Sequence, residues 1–235
     1  MPTEMLQIAI PLIEIPVIAM LPEKLIKKKR TIYKEKKDRE LKSYLTDGKR
    51  KAVQTGSLIA FTIAGLMQAY LAASIWMVIA YAVMYACCAA IMQIDADIRI
   101  IPNELLLIMM IDASAVKISQ TIHAEDLWIL LGAVIAMVIV FEALDKGVNT
   151  ISRLFGAQAI GMGDIKLMSL LTFFYWGNTD QVIGWLTGFC IAVFGVLIPM
   201  LAAKKISRFS FFAFGPYIVA GVAGETVFAF IKNFV

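Results

Sequence analysis

Apolar runs long enough to cross a bilayer recur along this chain, and no other feature so limits what it can fold into. Residues 6–21, 57–94, 103–121, 127–144, 163–176, 182–203 and 211–230 are dominated by Leu, Ile, Val, Met, Phe and Ala, and hydrophobic residues make up 60% of the 235. Soluble domains of this size do not show that pattern. The reading is an all-α polytopic membrane protein. Residues 57–94 are too long for one span and suit two, with a turn near Ala72-Ala73-Ser74, which brings the expected number of transmembrane helices to eight. The basic residues follow the first run instead of preceding it, so that run is expected to stay as an anchor and not to act as a cleaved signal.

Charge sets the expected orientation. Of 22 Lys and Arg, 13 lie between Lys24 and Lys51, and a basic segment between two spans reads as a cytoplasmic loop before it reads as a nucleic-acid site. With that loop inside, Arg99, Lys146, Arg153, Lys166, Lys204, Lys205 and Arg208 also fall inside, leaving Lys117 and Lys232 in or near the outer half. The same arrangement puts Trp76, Trp128, Trp176 and Trp185 at the outer interface and both termini outside. Three segments follow: a first anchor, 1–23; a basic cytoplasmic loop, 24–56, expected to form a solvated helix; and a seven-helix membrane domain, 57–235.

Polar residues that interrupt such a chain carry most of its information. Asp95 is expected to end the third span; the proline at 102 makes residues 97–101 a non-helical connection with a new helix beginning at Pro102. Asp164 opens the sixth span, where residues 164–176 give about 20 Å of helix against a hydrocarbon core of about 30 Å. If Trp176 marks the outer interface, Asp164 sits below the inner one. Carboxylates at the edge of hydrocarbon cost several kcal/mol unless they face water or protein, so both are candidate functional groups. Each taken alone reads equally as an interfacial helix cap.

Taken together, the two aspartates describe a chemistry. Two carboxylates close together in low dielectric cannot both ionise easily, so one keeps a proton while the other is charged. The charged member can take a proton from an attacking water, and the protonated one can polarise a scissile carbonyl. Gly161 and Gly163 let the chain turn or another backbone approach, and Met162 is placed to line a cleft. Cys87, Cys88 and Cys190 fall in apolar runs with no metal-ligand spacing and read as small membrane residues. His123 falls in an outer loop.

These residues resemble a known family. Ile94-Asp95-Ala96-Asp97 followed by Ile100-Ile101-Pro102-Asn103-Glu104-Leu105 is similar to the first aspartate motif of type IV prepilin leader peptidases. Gly161-Met162-Gly163-Asp164-Ile165-Lys166-Leu167 resembles their G-x-G-D-x-K-L motif, and Ala213-Phe214-Gly215-Pro216-Tyr217 their P-F-G-P-F element. The resemblance implies an intramembrane aspartic endopeptidase that removes the short basic leader of prepilins or pseudopilins at the cytoplasmic face of the cell membrane. Asp95 and Asp164 would be catalytic, and Asp97, Pro102, Asn103, Gly161, Met162, Gly163 and Lys166 would shape the site. Its partners would be pilin-type substrate helices and lipid, not nucleic acid. Larger bacterial members carry a tetracysteine zinc element after the first span and methylate the new N-terminus. Residues 24–51 here are cysteine-free, so no metal is expected, and S-adenosylmethionine would be needed only if methylation were retained. Gln158 also stands where many members have glutamate.

Two other classes share some of these features. One is a signal-peptide-peptidase type of G-x-G-D protease, against which Pro102-Asn103 and the lack of a Tyr-Asp pair speak. The other is a proton-coupled transporter or assembly scaffold, favoured by Asp112 and Glu225 inside apolar runs; those two carboxylates are equally expected to face outer-leaflet cavities or to pair with Lys117 and Lys232.

Overall fold

A computed structural model describes residues 3–37, 43–72, 74–124, 126–155, 161–202 and 213–234. Among them are nine helices and no strands: α1 (Thr3–Ala19), α2 (Pro22–Lys37), α3 (Asp47–Leu71), α4 (Ile75–Ile98), α5 (Asn103–Ala124), α6 (Leu127–Phe155), α7 (Met162–Tyr175), α8 (Thr179–Ala202) and α9 (Gly215–Lys232). Four of these, α3 to α6, are long and apolar enough to cross a membrane. Shorter apolar stretches lie in α1 (Gln7–Pro16) and α8 (Thr179–Gly195).

The bundle is built around α4, which packs against α1, α2, α3, α5 and α9. Its sequence explains that place. Ala82, Ala86, Cys87, Cys88, Ala89 and Ala90 are small and buried, so neighbouring backbones can approach α4 closely between its larger residues Tyr81, Met84, Tyr85 and Ile91. Tyr85 and Phe61 fill the seam between α4 and α3, and Tyr85 meets Thr226 of α9 through their hydroxyls.

The expected turn is present, with α3 ending at Leu71 and α4 capped by the Ser74 hydroxyl, which accepts the Met77 N–H. Asp126 likewise accepts the Trp128 N–H ahead of α6. Other expectations need correction. Helix α4 runs three residues past Asp95, because the chain turns only at Arg99 in left-handed geometry (φ 56°), whose N–H bonds the Asp95 carbonyl. Only residues 99–102 separate α4 from α5. Helix α6 carries the apolar run 127–144 on to Phe155, and its polar groups satisfy one another along the helix: Lys146 pairs with Glu142 at 3.2 Å and Asn149 donates to Asp145. The basic segment is two helical pieces, α2 and the first ten residues of α3, with Asp47 opening the latter.

The aromatic and lysine placements also change. Trp76 and Trp128 are highly exposed, but Trp185 is buried, donating its indole N–H to the Ile218 carbonyl beside Tyr175. Lys117 does not pair with Asp112; it is buried and donates to the Trp176 carbonyl and to Gln120. Lys232 pairs with Asp180 and not with Glu225. Cys87 and Cys88 are buried as expected, whereas Cys190 is exposed. Gln158 and the cluster Lys204, Lys205 and Arg208 lie outside the described residues.

Candidate active site

Gly161 stands in extended geometry just before α7, so its N–H has no partner in the helix that follows. Asp164, in the first turn of α7, folds its carboxylate back: Oδ2 accepts the Gly161 N–H at 3.0 Å, while the Gly161 carbonyl accepts the Asp164 N–H. This is the carboxylate half of a capping box, and the negative charge is favoured at a helix N-terminus. Asp164 Oδ1 is buried and has no hydrogen-bond partner among the described residues.

Asp95 is mounted differently but held by the same kind of contact. It projects from the last turn of α4, and its Oδ2 accepts the N–H of Gly215, the first residue of α9, at 3.0 Å. Residue 216 is a proline, so this end of α9 has one fewer N–H to satisfy. A Cβ on Gly215 would stand 2.8 Å from Asp95 Oδ2, which only glycine avoids. Each aspartate therefore caps a helix through one oxygen, Asp164 its own and Asp95 a neighbour's.

Both aspartates line one cavity of about 290 Å³. Gly161, Met162 and Gly163 form one wall, and the chain after α4, with Arg99 and Ile101, another. Lys166 of α7 donates to Asn103 Oδ1 of α5 at 3.3 Å along the rim. Helix α2 supplies Lys29 and Tyr33. Lys29 is fixed by an ion pair to Glu104 at 2.8 Å.

Among the residues singled out from sequence, Asp95, Asp164, Gly161, Met162, Gly163, Asn103 and Lys166 meet at this cavity. Pro102 does not line it; its carbonyl receives the Leu105 and Leu106 N–H groups and so starts α5. At Gly163 the close approach is Ile101 of this same chain, 3.0 Å from where a Cβ would be, so that glycine serves helix-to-loop packing. Asp97 is not a loop residue and does not face the cavity. It is buried in α4 between Arg30 of α2 and Arg50 of α3, at 3.5 and 3.4 Å, and accepts the Ser43 hydroxyl. Its carbonyl takes the Tyr44 N–H.

Four contributors were not assigned from sequence: Gly215, Lys29, Tyr33 and Arg99. The glycine had a visible signal, its place in the Phe214-Gly215-Pro216 element. The lysine and the tyrosine had none, being two residues in a long basic run. Among the described residues no group of three or more His, Cys, Asp or Glu is placed to hold a metal ion.

Helices of membrane-spanning length and two buried aspartates lining one cavity define a helical membrane protein with a candidate site at the ends of α4 and α7. The chain belongs to the type IV leader peptidase family, whose family model matches residues 82–230, well over half its length. It is accordingly a peptidase of the membrane. No curated protein and no solved structure matches it.

Proposed function

We propose that this protein is a prepilin-type leader peptidase of the cytoplasmic membrane. It cuts type IV prepilins or pseudopilins after their short basic leader, at the cytoplasmic face. Asp95 and Asp164 are the catalytic pair in an eight-span arrangement with both termini outside. One observation carries the reading: two aspartates 69 residues apart in sequence line the same cavity, each with one oxygen pinned by a glycine N–H.

Pinning fixes the direction of the other oxygens, which is what water activation requires. The pair shares one proton. The charged carboxylate removes a proton from water as its oxygen bonds to the scissile carbonyl carbon, and the protonated one donates to the carbonyl oxygen. Collapse of the tetrahedral species breaks the C–N bond and re-forms the carbonyl, the hydroxyl proton returning to the carboxylate that donated it while the proton taken from water passes to the leaving amine. Proteolysis needs no cofactor, and S-adenosylmethionine has no part in it. The substrate is itself a membrane helix, so lipid is the second partner.

The test uses the protein reconstituted in lipid with a substrate carrying a basic leader before an apolar segment. Asp95→Ala and Asp164→Ala are each expected to abolish cleavage. Cleavage retained by either variant overturns the assignment. The proton-coupled carrier reading has one observation in its favour: Glu14, Asp112 and Glu225 each bury an oxygen without a hydrogen-bond partner. Asp112 supplies its test below.

A further inference from the structure

A second cavity, about 350 Å³ in volume, adjoins the first between α5, α6 and α7. Its walls are Leu106 of α5, Met137, Val138 and Phe141 of α6, and Leu170 of α7. Ser169, the hydroxyl among them, turns back to the Ile165 carbonyl and leaves the surface apolar. The two cavities share Asn103 and Lys166, so the Lys166 to Asn103 hydrogen bond is the neck between them.

The seam between α6 and α7 explains where the groove opens. At one end the helices are locked together, since a Cβ on Gly132 would fall 2.5 Å from the Trp176 indole nitrogen. Phe141 lies nine residues further along α6, roughly 13 Å away, beside the start of α7 that carries Asp164. Helix α6 is otherwise the least enclosed of the long helices, with 11% of its most apolar window buried. A groove there lies along the little-enclosed α6 on one side and adjoins the cavity lined by Asp95 and Asp164 on the other.

We infer that this groove receives the apolar segment that follows the cleaved bond, entering sideways from lipid, while the leader side of the bond lies at Asp95 and Asp164. The inference rests on the leader-peptidase reading. That substrate has the chemistry the two cavities offer in sequence: a polar scissile region for the charged cavity, then continuous apolar side chains for the adjoining groove. Lys166 and Asn103 mark the boundary and must part or tilt for the chain to pass.

Cysteine cross-linking separates this from a groove filled by acyl chains alone. On an Asp164→Asn, Cys190→Ser background in liposomes, Phe141→Cys in the groove is compared with Ile139→Cys. Ile139 lies on the same helix about 200° around, is exposed, and is not part of the groove wall. A substrate bearing cysteine in the first two turns of its apolar segment is expected to cross-link to the former at least tenfold faster. Equal rates, a preference for the Ile139 position, or no cross-link at either while the wild-type protein cleaves the same substrate overturns the inference. Absence of wild-type cleavage instead overturns the peptidase reading on which it rests. As a second measure, Met137→Trp is expected to raise KM about tenfold with kcat unchanged, the signature of lost binding that the ground and transition states share; unchanged KM speaks against the groove.

Discussion

Asp95 and Asp97 are two residues apart on one helix, both are buried, and they do opposite things. A separation of two residues turns a side chain about 200° around a helix. One carboxylate therefore faces the cavity and the Gly215 N–H, while the other faces the basic segment and is enclosed by Arg30, Arg50 and Ser43. The difference lies in what the partners leave free. Asp95 has one oxygen held by a neutral backbone donor and keeps capacity for chemistry. Asp97 is matched by full positive charges and serves to clamp α2 and the start of α3 onto the end of α4. Burial by itself marks neither role.

The sharpest way to break this contrast is to remove the negative charge from each residue without changing its size. Asp95→Asn should reduce kcat by about a thousandfold or more, as expected for a lost acid-base group. Asp164→Asn should match it, because the two act as a unit and their losses do not add. Asp97→Asn should leave kcat within about tenfold of wild type. Equal losses at positions 95 and 97 would make the contrast untenable.

Stability should show the reverse order. Asp97→Ala leaves two arginines without their shared carboxylate; both are partly exposed, so the cost is below that of breaking a fully buried pair, about 1–3 kcal/mol. Thermal unfolding in detergent measures it. If Asp97→Ala unfolds like wild type, the clamp contributes nothing and α2 is held by other contacts.

What could be read in advance follows the range of the interactions involved. The Asp164 mount was legible because it is local: a glycine, a helix start and a carboxylate three residues later close on themselves. The matching mount for Asp95 was not, since Gly215 is 120 residues away and its N–H meets the carboxylate only through the packing of α9 on α4. The Phe214-Gly215-Pro216 element marked the place without revealing its partner. The full length of α6 was not legible, because the apolar run ends at residue 144 while i to i+4 pairs such as Glu142 with Lys146 let the helix itself carry polar residues onward. Trp185 misled in the opposite way: the interfacial preference of tryptophan is a tendency of exposed rings, and this one finds a carbonyl inside the bundle.

Gly215→Ala sharpens the comparison without touching either carboxylate. The added methyl would stand 2.8 Å from Asp95 Oδ2, so the carboxylate or the start of α9 must move. A misplacement of that size should lower kcat about a hundredfold with little change in KM, and the overpacking should cost about 1–3 kcal/mol. Asp97 lies on the other face and its clamp should stay intact. Cleavage at wild-type speed would mean that the glycine N–H does not orient Asp95. A smaller effect is expected at the rim, where Glu104→Gln frees Lys29 from a partly exposed ion pair worth up to about 1 kcal/mol. KM should move by less than about fivefold, and a larger change would give α2 a direct part in holding substrate.

The smallest expected effect is the one that decides between chemistries. Asp112 resembles Asp95 in being a carboxylate within an apolar helix, and its Oδ2 is buried without a hydrogen-bond partner among the described residues. It does not line the cavity that holds Asp95 and Asp164, and neither helix-start glycine is its partner. A hydrolytic pair needs no third carboxylate at a distance, so Asp112→Asn should cleave substrate at the wild-type rate. A proton-coupled carrier would need each buried carboxylate along its path, and neutralising this one would cost as much as neutralising Asp164. Measured in the same liposomes, equal losses at positions 112 and 164 would favour the carrier, whereas loss at 164 alone ties function to the two aspartates that line one cavity.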